Sequence, residues 1–126
     1  MTREDKELLL KDLCARLPYK VMVHIRYNTK EPCYGELTLK DIQLFIDYKI
    51  ETIKLYLRPM SSMTEGEKTE YFNVIKNSID FYNCPKSEDV CFLIIPIDWL
   101  NKNHFDYRGL IEKGLALEAP ERMYNI

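Results

Sequence analysis

The sequence predicts an α+β domain: a small, mainly antiparallel sheet packed with an N-terminal helix, a central helix and short C-terminal helices. Three observations lead there. Apolar residues recur at helical spacing near the N-terminus, and again beyond residue 64. They alternate singly through 20–27 and 51–58. These strands lie too close in sequence for helical crossovers, so antiparallel pairing is expected. A strongly bent, SH3-like half-barrel is the expected form of the strands at 20–58. The chain has 126 residues, 46% apolar and 30% charged, which fits one globular domain over 1–126.

Each element has its own local signature. Leu9, Leu10, Leu13, Cys14 and Leu17 form one helical stripe behind a Thr2 cap, and Pro18 stops it, so the first helix is placed at 3–16. In "YKVMVHIRY", Val21, Val23, Ile25 and Tyr27 share one face. Lys20, Met22, His24 and Arg26 share the other. "NTKEP" is turn chemistry.

Residues 38–47 read two ways. Thr38 as cap, Asp41 at N3 and Leu39, Ile42, Phe45 and Ile46 as a stripe give a helix. β-branched and aromatic content tips the balance slightly to a bulged strand, with the helix kept open beside it. In "ETIKLYLRP", Ile53, Leu55 and Leu57 alternate against Thr52, Lys54 and Tyr56. Thr64 with Glu67 is a capping box for a helix whose stripe is Phe72, Ile75 and Ile79, with Tyr71 and Ser78 beside it. "VCFLI" reads as a buried strand. Pro96 opens a short helix that turns Trp99 and Leu100 inward. Asp106 caps a helix or turn over Tyr107–Glu112, and Gly114 is a left-handed stop.

Composition excludes several functions. The net charge of −2 argues against non-specific nucleic-acid binding, which draws on an excess of Lys and Arg. Residues 1–63 carry 11 Lys/Arg and 9 Asp/Glu, a net of +2; residues 64–126 carry 7 and 11, a net of −4. This imbalance is ordinary surface. Cys14, Cys33, Cys84 and Cys91 show no C-x-x-C spacing, and only His24 and His104 could assist, so no metal site is expected. Cys14 and Cys91 sit in apolar patterns, as buried free thiols do. The first residues lack the apolar run of a signal peptide, and Val90–Ile97 is too short to span a bilayer. A cytoplasmic protein is expected.

"YLRPMSSMTEGEK" (Tyr56–Lys68), "DWLNKNHFDYRGLIEKGLALEAPERMYN" (Asp98–Asn125) and the opening "MTREDKELLLKDLCARLPYKV" together resemble a family of short proteins. These are encoded in gut Bacteroidales genomes, often in or near phages and other mobile elements. The resemblance covers about half the chain and implies no activity, cofactor or site residue. Arg122 stands where the family pattern "LEAPEG" has glycine, which removes the residue a sharp turn there would favour.

Three constellations invite a chemical reading. His104, Asp106 and Arg108 lie close together, but there is no nucleophile elbow, phosphate loop or metalloprotease motif. Asp106 serves as a cap, with Arg108 pairing to it or to a nearby carboxylate. Arg58 with Ser61, Ser62 and Thr64 could receive an anion at a helix start, against the charge of Glu65 and Glu67. Lys20, His24 and Arg26 on the outer face of the first strand, in the half that also holds Tyr19, Tyr34, Tyr48 and Tyr56, form a candidate contact surface.

No catalytic residue and no cofactor is expected. The candidate interaction residues are Lys20, His24, Arg26, Tyr56, Arg58, Asp106 and Arg108. Nine tyrosines in one small domain favour a protein partner. The expected function is a small cytosolic binding or regulatory module of a mobile element. The alternatives are nucleic-acid binding through strands 20–58, and a nucleotide-binding protein or enzyme. Trp99, Leu100, Phe105, Leu110, Ile111, Leu115 and Leu117 are expected to close the core. On that reading Trp99→Ala lowers stability and Arg108→Ala barely does.

Overall fold

A computed structural model describes residues 2–27, 31–82 and 97–124, with side chains over 77–82 excepted. The "VCFLI" segment, Cys84, Cys91 and Pro96 lie outside the described residues, as does most of the "NTKEP" turn. So do the side chains of Ser78 and Ile79.

Helix α1 spans Arg3–Arg16, as its stripe and cap require: the Thr2 hydroxyl accepts from the Asp5 N–H at 3.0 Å. A 3-10 turn over Leu17–Tyr19 follows, and Lys20, at φ 58°, ends it in the left-handed region. Lys20 therefore belongs to this turn and not to the strand face assigned to it from alternation. β1 (Met22–Tyr27) buries Val23 and Ile25, with Val21 just ahead of it. β2 (Cys33–Glu36) pairs antiparallel with β1. Cys14, placed on the apolar side of α1 by periodicity, is exposed.

Residues 38–47 correct the strand reading, because α2 runs from Leu39 to Ile46. Local hydrogen bonds decide it. Thr38 Oγ1 accepts from the Asp41 N–H at 3.2 Å, and the Asp41 carboxylate accepts from the Thr38 N–H at 3.0 Å. The exit is a Schellman motif: Lys49 N–H donates to Leu44 C=O and Tyr48 N–H to Phe45 C=O, with Tyr48 at φ 60°. Only Ile42 and Phe45 of the stripe reach the core, while Leu39 and Ile46 are exposed.

β3 (Ile50–Pro59) is the central strand. β1 runs antiparallel along one edge, with Val23 opposite Leu55 and Ile25 opposite Ile53. β5 (Ala116–Glu118) runs parallel along the other edge, and β4 (Phe105–Asp106) runs parallel at the strand's end. The sheet is mixed: its two longer ladders, β1–β2 and β1–β3, are antiparallel as expected, and its two short ones are parallel. The physical reason is α3 (Glu65–Tyr82) and a second helix, α4 (97–102), which carry the chain away before it returns. Thr64 and Glu67 form the expected capping box at the start of α3. Phe72, counted in its apolar stripe, is exposed, and Tyr71 and Val74 pack inward instead.

Gly114, at φ 73°, ends the turn over 110–114 by the same Schellman bonds: Leu115 N–H to Leu110 C=O and Gly114 N–H to Ile111 C=O. The Tyr107–Glu112 stretch is a turn, not a helix. Arg122 adopts φ 69° within a turn at 121–124, so this turn forms without glycine.

The core has two parts. Leu9 and Leu13 of α1 pack with Val21, Ile53, Leu55, Leu57 and Leu110 among others in the larger one. Met63, Trp99, Leu100 and Phe105 form the smaller, with the Trp99 ring stacked on Tyr71 at 5.1 Å and on Phe105 at 5.8 Å. The tail therefore closes the core as expected through Trp99, Leu100, Phe105, Leu110 and Leu115. Ile111 is half-buried, and Leu117 points to the opposite sheet face. Tyr124 does something the alternation pattern does not show. Its hydroxyl accepts from Met22 N–H at 2.9 Å and donates to Tyr56 C=O at 2.6 Å, bridging β1 and β3 just beyond their last paired residues.

Candidate functional site

The helices cover one face of the sheet. Cross-strand partners share a face, so the register identifies what the other face carries. His24 stands between Tyr34 and Lys54; Arg26 is opposite Thr52; Tyr56 is opposite Leu117. His24, Arg26, Thr52 and Lys54, with Pro32 and Leu117, line a shallow depression of about 380 Å³. Tyr34, 70% exposed, stands beside it. Arg26 and the nearest carboxylate, Glu51, are 4.0 Å apart and both exposed, which leaves the cation in water. Glu36, opposite Met22, shares this face, which is on balance basic through Arg26 and Lys54 and tyrosine-bearing, in a chain whose net charge is −2.

The remaining candidates go elsewhere, each for a structural reason. Arg58 is buried and held by both oxygens of Glu67, at 2.7 and 2.8 Å, with its guanidinium 4.2 Å from the centre of the Phe105 ring. These bonds from Arg58 hold the Glu67 carboxyl below its usual range, against the opposing effect of burial. Glu67, read as an obstacle to an anion, is itself the arginine's partner. Ser62 donates to Pro59 C=O at 2.6 Å, and Thr64 accepts from Glu67 N–H at 3.2 Å. A depression of about 370 Å³ lies beside these residues, lined by Arg58 and Arg122, and of these Arg58 is already engaged by Glu67.

Asp106 accepts from the N–H groups of Leu110 and Ile111 at 2.9 and 3.0 Å, the capping role read from the sequence. Arg108 finds the buried carboxylate of Asp12 at 2.9 Å. It is not the free surface cation that the expected neutrality of Arg108→Ala requires. Asp12 also takes Arg16 at 2.8 Å, both side chains being fully buried, and Arg16 donates onward to Phe105 C=O. His104 lies close by, its ring stacked on Tyr124 at 3.8 Å. Burial, with Arg16 and Arg58 nearby, pushes His104 down to about 4, so the imidazole is neutral at physiological pH. Burial likewise pushes the Tyr124 phenol up to about 12.

Of the three, Arg108 joins the tail to α1 through Asp12, His104 stacks on Tyr124, and Asp106 caps the turn that follows it. The Asp12–Arg16 pair escaped the sequence reading. Its signal was present: Leu9, Asp12, Leu13 and Arg16 share one helical face, and a charged pair inside an apolar stripe marks a buried ion pair. Lys54 was missed, and Tyr34 was assigned only to the same half of the chain, because their place beside His24 depends on strand register.

Among the described residues, no group of three or more His, Cys, Asp or Glu side chains is placed to hold a metal, and no helix is long and apolar enough to cross a membrane. Comparison with known proteins yields no relative: no family model matches the chain, no curated protein matches its sequence, and no solved structure matches its fold.

Proposed function

We propose that this protein is a small binding module whose contact surface is the open sheet face bearing His24, Arg26, Lys54 and Tyr34. One observation carries the reading. The fold draws Arg58, Asp106 and Arg108 into internal links, and leaves a basic, aromatic sheet face uncovered by any described element. Such a face suits an acidic protein surface, where tyrosine supplies contact area and the cations supply steering and register. The resemblance to proteins of mobile elements in gut Bacteroidales fits a regulatory module directed at a host or phage protein in the cytoplasm. No cofactor is required for that role.

Reversing the charge tests this directly. Arg26→Glu with Lys54→Glu is expected to leave the melting temperature within a few degrees, because both side chains lie on the outer face. The same change should abolish capture of a stoichiometric companion from host lysate. A companion retained equally by both proteins places the interface elsewhere and ends the proposal, as does a wild-type protein that emerges alone.

Tyr34 beside His24 and Arg26 favours one second reading, single-stranded nucleic acid laid across the sheet with a base stacked on the ring. Retention on single-stranded DNA or RNA that falls steeply with salt and disappears in Tyr34→Ala would support it. No retention at low salt sinks it.

A further inference from the structure

The outer edge of the sheet carries a second kind of information. β2 is the terminal strand: among the described residues it pairs only with β1. The Leu37 N–H donates to Val21 C=O at 2.9 Å, which sets the phase of that ladder. Antiparallel ladders alternate hydrogen-bonded and non-bonded pairs, so Gly35 and Cys33 bond inward to Val23 and Ile25. Tyr34 and Glu36 therefore turn their N–H and C=O groups outward, two donors and two acceptors at the rim. Exposed edges are normally blunted by lysines, bulges or proline. Here β2 carries no lysine, and Pro32 stands only at its start.

We infer that two copies of this chain pair through β2, antiparallel, about a two-fold axis at Gly35. In that register Tyr34 of each copy faces Glu36 of the other as a hydrogen-bonded pair. All four outward groups of each strand are then used, in four bonds across the axis. Gly35 meets Gly35 as the non-bonded pair, where strands approach most closely. A Cβ built at Gly35 meets nothing within 4 Å, so the space above the axis is open.

Charge agrees with the antiparallel direction. Glu31, exposed ahead of β2, comes to the end of the partner strand where exposed Lys40 follows. Tyr34, 70% exposed in one copy, is covered beside Glu36 of the second. Pro32, without an N–H, ends the pairing on each side, so the interface is short and the dimer weak. The two sheets become one, and the basic outer face runs continuously across both copies.

Sedimentation equilibrium of the full chain tests this. Small interfaces give transient association, so the mass is expected to rise from 15.1 kDa toward twice that value between roughly 10 μM and 1 mM. Gly35→Lys sets two ammonium groups together at the axis. It should hold the chain at monomer mass across that range while its melting temperature matches wild type.

Gly35→Cys is the positive arm. Non-bonded antiparallel partners lie about 4.5 Å apart at Cα, within disulfide range, so mild oxidation should give a 35–35 link found by peptide mass mapping. Cys33 of the two copies lies too far apart in this register to link and is the internal control. A wild-type chain that stays monomeric with no 35–35 link overturns the inference; it also describes an edge kept for another protein's strand. A wild-type dimer left intact by Gly35→Lys overturns it too. Should Gly35→Lys fail to fold, the cross-link decides.

Discussion

The large core and the tail joint lean on the same helix and are held by different physics. Leu9 and Leu13 of α1 pack in a cluster of apolar side chains, mostly aliphatic. Asp12 and Arg16, between and beyond them, bind Arg108 and the Phe105 carbonyl. All four side chains are fully buried. Aliphatic contact is non-directional, so the large core loses stability in proportion to the atoms removed. The joint is directional: Arg16 and Arg108 both depend on the buried Asp12 carboxylate, and removing one partner strands the other. Tail attachment is therefore specific and sensitive, where the sheet–helix core is tolerant.

Asp12→Ala should break this contrast most sharply. It leaves Arg16 buried without its carboxylate and frees Arg108. A loss of about 3–5 kcal/mol in urea unfolding is expected, a large share of the roughly 5–15 kcal/mol of an ordinary domain. Next, Leu13→Ala should cost about 2–5 kcal/mol by cavity formation, and that cost should stay constant between pH 7 and pH 5. A strong pH dependence would mean that Leu13 supports the joint as well as the core.

Acid should act on the joint and on the Arg58–Glu67 pair, and spare the aliphatic core. The unfolded chain protonates His104 near pH 6.5, and the folded chain does so only near 4. Between these values the unfolded state binds the extra proton, so stability falls as pH drops from 6.5 toward 4 and this contribution then levels off. The full shift corresponds to about 3 kcal/mol. Glu67 adds a loss of its own at lower pH, as protonation breaks its bonds to Arg58. His104→Asn, which tolerates the left-handed backbone at φ 65°, should flatten the slope between pH 6.5 and 4; an unchanged slope assigns it to another group.

Arg108→Ala is the mildest of the four. Asp12 keeps Arg16, and Arg108 retains some solvent contact, so about 1–3 kcal/mol is expected from chemical denaturation. A loss equal to that of Asp12→Ala would show that Arg108, not Arg16, anchors the carboxylate.

Much of this was legible before any coordinates. The bounds of α1, the buried faces of β1 and β3, the Thr64–Glu67 box, the Asp106 cap and the Gly114 stop all follow from periodicity or from bonds spanning three to five residues. The α2 segment carried the right cap in its sequence and was outweighed by β-branched content. The two reciprocal bonds of its capping box act at the helix start, whatever the average propensity of the residues that follow.

What only the tertiary structure decided involves partners far apart in the chain. Asp12 meets Arg108 across 96 positions, and Tyr124 closes on Met22 across 102. Tyr34 joins His24 and Lys54 because three strands align in one register. Composition and local pattern set which residues are buried and which segments coil or extend, because those terms depend on near neighbours. Which charges meet, and which face and edge stay uncovered among the described residues, depend on how distant segments return to one another, and a one-dimensional pattern does not encode that distance.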